Sequence, residues 1–226
     1  MVQKGDFIRI TYTGRLDSGE VFDTTDEETA KANNIHNENK RYGGEVVILG
    51  AKHTLAGMED ELEGKEAGYS GKVTIPPENA FGRYDAALIQ DIPITRFPDK
   101  PQSGQRVVID GKYATVHVVM GRHVRVDFNH PIAGKTVTYD YTIEQKLESP
   151  EDKISGLLEM YAGNKFKIEV SGDTASVEVP LALALEKQWL VAKALVATDM
   201  LKYGGIKELV FIERFTQEAL NPAKPA

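Results

Sequence analysis

Two aromatic rings and one carboxylate lie within a short stretch near the start of the chain. Tyr12 belongs to the strand-like run ITYTG, and Phe22 and Asp23 follow a second turn in the run EVFDTT. No histidine or cysteine accompanies them, so the stretch lacks the base or thiol on which nucleophilic catalysis depends. Residues of these types can instead form a dry pocket that binds one conformation of an uncharged group more tightly than another.

The composition narrows the possible functions. The chain has 226 residues, which suits one or two domains, with three small ones also possible. It contains no cysteine, which excludes disulfides, thiolate nucleophiles and cysteine-ligated metal centres. The formal net charge of −7 argues against a nucleic-acid partner, because such surfaces neutralise phosphates with Lys and Arg.

Neither a signal peptide nor a membrane span is visible in the sequence. The run MVQKGDFIRI lacks an apolar core, and no apolar run reaches the length of about 18 residues that a membrane span needs. We therefore expect a soluble cytoplasmic protein with no membrane partner.

The sequence also lacks acidic residues and histidines at the spacing of a metal site. Asp26, Glu27 and Glu28 lie in a long polar segment without a second acidic cluster or a suitably spaced histidine. The five histidines are scattered along the chain: His36, His53, His117, His123 and His130. We expect a solvated loop here, and neither a metal nor a cofactor.

Up to about residue 83 the pattern predicts short β-strands and one helix. DFIRITYTG alternates apolar and polar residues, and EVVILG and GKVTIPP are further β runs bounded by Gly or Pro. The helical spacing of Leu55, Met58 and Leu62 predicts a short helix that Gly64 would end. Much later, KTVTYDYTIEQKL alternates again, with Tyr139 on its apolar face, and is expected to return to the same sheet.

The intervening stretch, about residues 84–129, is therefore expected to be an insertion. QRVVIDGKYATVHVVM predicts a hairpin that turns at Asp110 and Gly111, and RHVRVDF predicts another strand. The run IPITRFPDKP carries three prolines and is expected to be irregular and extended. So few strands cannot bury both faces of a sheet. The exposed apolar surface would either bind extended chains or pack on the neighbouring domain.

The last part of the chain begins with a helix signal. Ser149 is a suitable N-cap and Pro150 suits the first helical position. Two strands (about 165–170 and 175–179), a long helix from Pro180 to Tyr203 and a strand in IKELVFIERF would follow. The long helix is apolar on most of its circumference, so it is expected to be either buried or shared between subunits of a homodimer.

Four runs occur in a fixed order: the opening stretch, LGAKHTLAGMEDELEGKEAG, TIPPENAFG and VTYDYTIE. Together they resemble the FKBP family of peptidyl-prolyl isomerases. The insertion after AFG and the return through NHPIAGKTV are similar to the SlyD type, in which a flap domain interrupts the catalytic domain. The sequence after Ser149 resembles the additional domain of long archaeal FKBPs.

The resemblance implies an α+β fold in which an antiparallel half-barrel sheet surrounds one short helix. The isomerase domain would comprise residues 1–83 and 130–148, with a small all-β flap domain inserted at 84–129. A C-terminal α/β accessory domain would follow at 149–215, and residues 216–226 would form a disordered tail.

The resemblance also implies a chemistry that suits the opening residues. Rotation about an X–Pro bond has a barrier of about 20 kcal/mol, because the planar amide has partial double-bond character. Twisting the amide reduces its charge separation, so a dry aromatic pocket disfavours the planar form and tolerates the twisted one. Such catalysis needs no nucleophile, metal or cofactor.

The family motifs assign roles to particular positions. Four aromatic residues would line the proline pocket: Tyr12, Phe22, Phe81 and Tyr139. Three apolar residues would form its floor and walls: Met58, Val47 and Ile132. Three further residues would contact the substrate or the rim: Asp23 would orient the substrate amide or interact with Tyr12, Leu55 would offer its backbone N–H, and Thr54 would lie beside it. The rings could otherwise be ordinary core residues.

Three positions depart from the family pattern. Met58 stands where smaller members have tryptophan, Phe81 where many have tyrosine, and Glu45 where an apolar residue is common.

The resemblance as a whole predicts an isomerase and folding chaperone that acts on proline-containing unfolded or nascent chains. The alternatives are a non-catalytic holdase that binds unfolded chains and an adaptor whose C-terminal domain scaffolds a partner.

Overall fold

The computed structural model describes residues 1–163 and 166–217. The strands are β1 (Phe7–Leu16), β2 (Val21–Thr24), β3 (Glu45–Ile48), β4 (Ser70–Ile75), β5 (Ile89–Pro93), β6 (Arg106–Ile109), β7 (Lys112–Met120), β8 (His123–Asp127), β9 (Val137–Leu147), β10 (Lys167–Ser171), β11 (Thr174–Val179) and β12 (Glu208–Glu213). The α-helices are α1 (Glu27–Ala32), α2 (Ala56–Leu62), α3 (Pro150–Ala162), α4 (Leu181–Ala184) and α5 (Lys187–Tyr203). Strands and helices thus mix as the α+β class requires, which confirms the predicted fold class.

The first sheet is antiparallel and has five strands in the order β2-β1-β9-β4, with β3 also paired to β1. Strand β1 is long enough to pair with β9 along one edge and with both β3 and β2 along the other. Helix α2 packs on one face through Met58 and Leu62, which are buried in the same core as Ile8 and Ile10. Gly64, at φ +82°, follows this helix, as the sequence predicts.

The inserted stretch forms its own four-stranded antiparallel sheet in the order β5-β8-β7-β6. Asp110 and Gly111 both have positive φ, as the predicted tight hairpin requires. The proline-rich run, residues 92–101, forms no strand beyond Pro93: its first two residues end the edge strand Ile89–Pro93, which pairs with β8. Pro93 is tolerated there since it ends the strand. Six large apolar side chains remain exposed on this insertion: Tyr84, Leu88, Val108, Tyr113, Val118 and Met120.

The C-terminal module, residues 149–215, is a three-stranded sheet covered by helices. The Ser149 hydroxyl accepts a hydrogen bond from the N–H of Asp152 and caps α3, as predicted. The predicted long helix is interrupted, because Glu186 is extended (φ −84°, ψ 134°) and separates α4 from α5. The break allows α5 to begin where the indole N–H of buried Trp189 reaches Glu213 Oε1 at 2.8 Å. The tail expected at 216–226 lies outside the described residues from residue 218 onward.

The C-terminal module packs on the outer face of the first sheet. Phe7, Val46, Ile48 and Leu147 of that sheet share one core with α3, α5 and the three-stranded sheet. A module of this size buries a marginal core by itself, and the apolar face of the first sheet enlarges that core. In the described parts of the chain, no helix combines the length and the apolar character that crossing a membrane would demand.

Candidate active site

Four aromatic rings meet on the face of the first sheet that carries α2. They come from β1, β2, β9 and the loop after a short 3-10 turn: Tyr12, Phe22, Tyr139 and Phe81. The ring of Tyr139 lies 5.5 Å from that of Tyr12 and 5.7 Å from that of Phe22, and Phe22 lies 5.7 Å from Phe81. All three contacts are edge to face, the arrangement that aromatic quadrupoles favour.

Apolar side chains support these rings. Val47 of β3 and Met58 of α2 are buried, and Leu55 and Ile132 are half-buried against the same cluster. Eight of the ten residues that the sequence assigns to the pocket thus share one apolar cluster: Tyr12, Phe22, Val47, Leu55, Met58, Phe81, Ile132 and Tyr139. The other two adjoin it, because Asp23 follows Phe22 and Thr54 precedes Leu55.

Leu55 is the residue that precedes helix α2. Its carbonyl accepts hydrogen bonds from the N–H groups of Met58 and Glu59. Its own N–H donates to no acceptor within residues 1–163 and 166–217. A free N–H beside an apolar cluster is suited to a carbonyl of a bound chain, since such a donor is costly to bury without a partner.

Gly14 allows the rings to approach strand β1. A Cβ atom at this position would lie 2.8 Å from both Phe22 Cζ and Tyr139 Cε1. Strand pairing explains the crowding, because Gly14 lies opposite Asp23 of β2 and Tyr139 of β9.

We expect Gly14→Ala to displace these two rings and to lower kcat/KM for a proline peptide. Overpacking of this kind also destabilises the fold by about 1–3 kcal/mol. Peptide turnover and urea unfolding measure the two effects. Thr11→Ala, on the opposite face of the same strand, is the matched control, and equal turnover in the two variants would contradict the expectation.

The rim of the cluster is polar and contains two residues that the sequence did not assign to the site. The Tyr12 hydroxyl lies 3.2 Å from Asp23 Oδ2 and 3.1 Å from Glu45 Oε2. Lys40 Nζ lies 2.5 Å from Asp23 Oδ1 and 3.9 Å from Glu45 Oε1. Lys40 gave no sequence signal, since it lies in a polar loop 17 residues after Asp23. Glu45 was visible in the sequence only as a departure from the family pattern.

The rim keeps Tyr12 protonated. Burial, with the negative charges of Glu45 and Asp23, raises the pKa of the Tyr12 phenol far above its ordinary value. Burial is also the main cause of the raised pKa of Glu45, and the charge of Lys40 partly opposes it. A phenol has one proton to donate, so Tyr12 can satisfy only one of the two carboxylates at a time.

His130 is a further residue that the sequence analysis did not assign to the site. Its ring stacks on Phe81, with ring centroids 4.5 Å apart and planes inclined by 13°. Partial burial and the nearby charge of Arg106 lower the pKa of His130. The residue lies where the chain returns from the insertion, so it links the inserted sheet to the aromatic cluster.

This arrangement is suited to selective binding. The cluster provides apolar rings, a buried thioether floor at Met58 and a rim at which Lys40 lies beside the carboxylates of Asp23 and Glu45. The Tyr12 hydroxyl stands beside the carboxylates of Asp23 and Glu45, but its raised pKa keeps it protonated, so it is a hydrogen-bond donor rather than an activated nucleophile. Such a pocket would bind the planar and twisted forms of a neutral group with different affinities if twisting changes the charge separation of that group.

Comparison with known proteins identifies the family. A family model described as FKBP-type peptidyl-prolyl cis-trans isomerase matches residues 1–93. A second model, described as FKBP26_C-terminal, matches residues 150–216. The FKBP-type peptidyl-prolyl cis-trans isomerase SlyD of Aeromonas hydrophila is 34% identical over 144 residues, which are 61% of this chain and 60% of that protein. SlyD of Treponema pallidum is 29% identical over 157 residues, 67% of this chain and 81% of that protein.

A shorter relative gives the firmest assignment. The short-type peptidyl-prolyl cis-trans isomerase of Methanocaldococcus jannaschii is 37% identical over 142 residues, which are 62% of this chain and 90% of that protein. With this identity over nearly the full length of a relative, and a model of the same family matching its N-terminal part, the chain belongs to the FKBP-type peptidyl-prolyl cis-trans isomerases.

Proposed function

We propose that the aromatic cluster is the site at which a proline-containing polypeptide binds and its X–Pro bond rotates. The observation that carries the proposal is the edge-to-face group of four rings over buried Met58, with Asp23 at its rim. Proline would enter between the rings, and the free N–H of Leu55 would hold a carbonyl of the same chain.

The rate enhancement would come from differential binding. The planar amide loses favourable hydration when it enters the pocket, and the pocket gives little in return. The twisted amide has a smaller charge separation, so it loses less hydration. A preference of about 4 kcal/mol for the twisted form would accelerate rotation by about a thousandfold. Asp23 would act from the rim, because Lys40 and Tyr12 already occupy its two oxygens.

We further propose that the inserted sheet, residues 84–129, is a flap that holds unfolded or nascent chains near the pocket. Its exposed Val108, Tyr113, Val118 and Met120 support this role, since apolar surface of this kind is suited to extended polypeptides. Holding a client beside the pocket raises its effective concentration there. A cytoplasmic location, where nascent chains emerge, fits these clients.

The test compares a proline tetrapeptide with a protein whose refolding is limited by proline isomerisation. The full-length chain should accelerate both, and the protein client more strongly. Suppression of aggregation without acceleration of either reaction would contradict the isomerase and support the alternative, a holdase.

The C-terminal module, residues 149–215, offers a surface for a homodimer. One face of α5 is buried, while Leu190 and Val191 on another face are 67% and 61% exposed. We propose that a second copy of the chain covers this face. Sedimentation equilibrium of the full chain and of Leu190→Glu should show a dimer that the substitution weakens. A monomer at all concentrations would contradict the dimer.

A further inference from the structure

Strand β3 lies between two cores. Val47 packs in the core that supports the aromatic cluster, whereas Val46 and Ile48 pack in the core of the C-terminal module. Glu45, the first residue of this strand, reaches the hydroxyl of Tyr12. The position of one short strand therefore affects both the polar rim and the packing of the C-terminal module.

Helix α3 rests closely on this strand. A Cβ atom at Gly156 would lie 2.7 Å from Val46 Cγ2, so only glycine permits the observed approach. Gly156 is fully buried in the middle of α3. The helix can thus lie against the side chain of Val46, the residue next to Glu45.

Glu159, one turn further along α3, holds the segment that leads into β3. Its Oε2 accepts a hydrogen bond from Arg9 Nη2 at 2.9 Å, while Arg9 Nη1 donates to the carbonyl of Gly44 at 2.8 Å. Arg41 Nη1 donates to the backbone carbonyl of Glu159 at 2.9 Å, and Arg41 Nη2 lies 3.9 Å from Glu159 Oε1. These contacts hold both ends of residues 41–44, between Lys40 and Glu45.

We propose that Glu159 of the C-terminal module is a positioning residue for the isomerase site. Through Arg9 and Arg41 it holds the segment 40–45 so that Lys40 and Glu45 complete the rim around Asp23 and Tyr12. The inference rests on the proposed function of the aromatic cluster. It assigns the C-terminal module a role in turnover in addition to any role in assembly.

Glu159 fulfils this role by fixing the position of the loop rather than by stabilising the fold. The side chains of Glu159, Arg41 and Arg9 are 45%, 52% and 23% exposed, and ion pairs that solvent reaches contribute about 1 kcal/mol or less to the free energy of unfolding. Position matters more, since Lys40 balances Asp23 only while the loop keeps it there. If Lys40 moves away, the carboxylates of Asp23 and Glu45 compete for the single phenol proton of Tyr12, and the rim reorganises.

The test uses full-length Glu159→Ala, with Glu151→Ala as control because Glu151 is an exposed acid on the same helix. For Glu159→Ala we expect kcat on a proline peptide to fall by about threefold to tenfold with little change in KM, because the rings that hold proline are untouched. The urea midpoint should stay near that of the wild type. Glu159→Gln should restore at least half of the lost activity, since its amide oxygen can still accept from Arg9.

A second readout is independent of turnover. Glu45 is faced by Tyr12 of β1, Asp23 of β2, Lys40 of the loop and Tyr139 of β9. Because the charge of Lys40 lowers the pKa of Glu45, loosening the loop should raise that pKa further, as followed by the carboxyl ¹³C shift. Glu151→Ala should leave it unchanged.

Unchanged kcat and an unchanged Glu45 titration in Glu159→Ala would overturn the inference. Should Glu159→Ala lower the urea midpoint strongly, Arg41→Met removes the other contact between Glu159 and the segment 40–45 and must show the same two effects. A wild-type chain without isomerase activity would contradict the proposed function, and the Glu45 titration would then decide the positioning role by itself.

Discussion

Tyr139→Ala is expected to lower kcat/KM for a proline peptide by more than about tenfold. Tyr139 is only 5% exposed, and its ring meets both Tyr12 and Phe22 edge to face. Removing it opens a cavity that water can enter, with a packing loss of about 3 kcal/mol or more. The loss of shape and of the low dielectric should both weaken discrimination between the twisted and planar amide.

Two other variants separate the ring from the carboxylate. Tyr139→Phe keeps the ring and should keep most of the turnover. Asp23→Asn should retain a substantial fraction, since a partly solvated rim carboxylate contributes about 1 kcal/mol to its interaction with a neutral amide, which corresponds to about fivefold in rate. A urea midpoint must show that Tyr139→Ala is folded. Normal turnover in folded Tyr139→Ala beside an inactive Asp23→Asn would show that the carboxylate acts chemically.

Removal of the flap should separate peptide catalysis from protein catalysis. Joining about Gly82 to about His130 by a short turn is feasible, because the N–H of Gly134 already donates to the carbonyl of Gly82 at 2.8 Å. His130 is kept because it stacks on Phe81. We expect peptide isomerisation to remain largely intact. Acceleration of protein refolding and suppression of aggregation should fall by about tenfold or more, as tethered binding is lost.

A milder variant controls for damage from the deletion. In the full chain, Tyr113→Ser removes a ring that is 68% exposed on the flap, so it should cost little stability. It should reduce activity on protein clients and leave the peptide reaction unchanged. If the deletion variant handles protein clients as well as the full chain, the flap does not hold clients.

Local features of the sequence determined much of the fold. Alternating residues in β1 and β9 predicted strands of the first sheet, and the structure pairs them over ten positions. Asp110 and Gly111 predicted a tight hairpin turn, and Ser149 predicted the start of α3. Each of these signals acts within a few residues, which is why sequence alone suffices for it. The ordered family motifs identified the family, which the comparisons confirm.

Tertiary structure decided the rest. The long helix was predicted without a break, because its apolar circumference does not show that Trp189 must reach Glu213 across 24 residues. Lys40 entered the rim only because the loop folds back on Asp23. Glu159 bonds Arg9 across 150 positions. Contacts of this kind join polar groups that have no common period or motif, so only the packing of α3 on β3 brings them together.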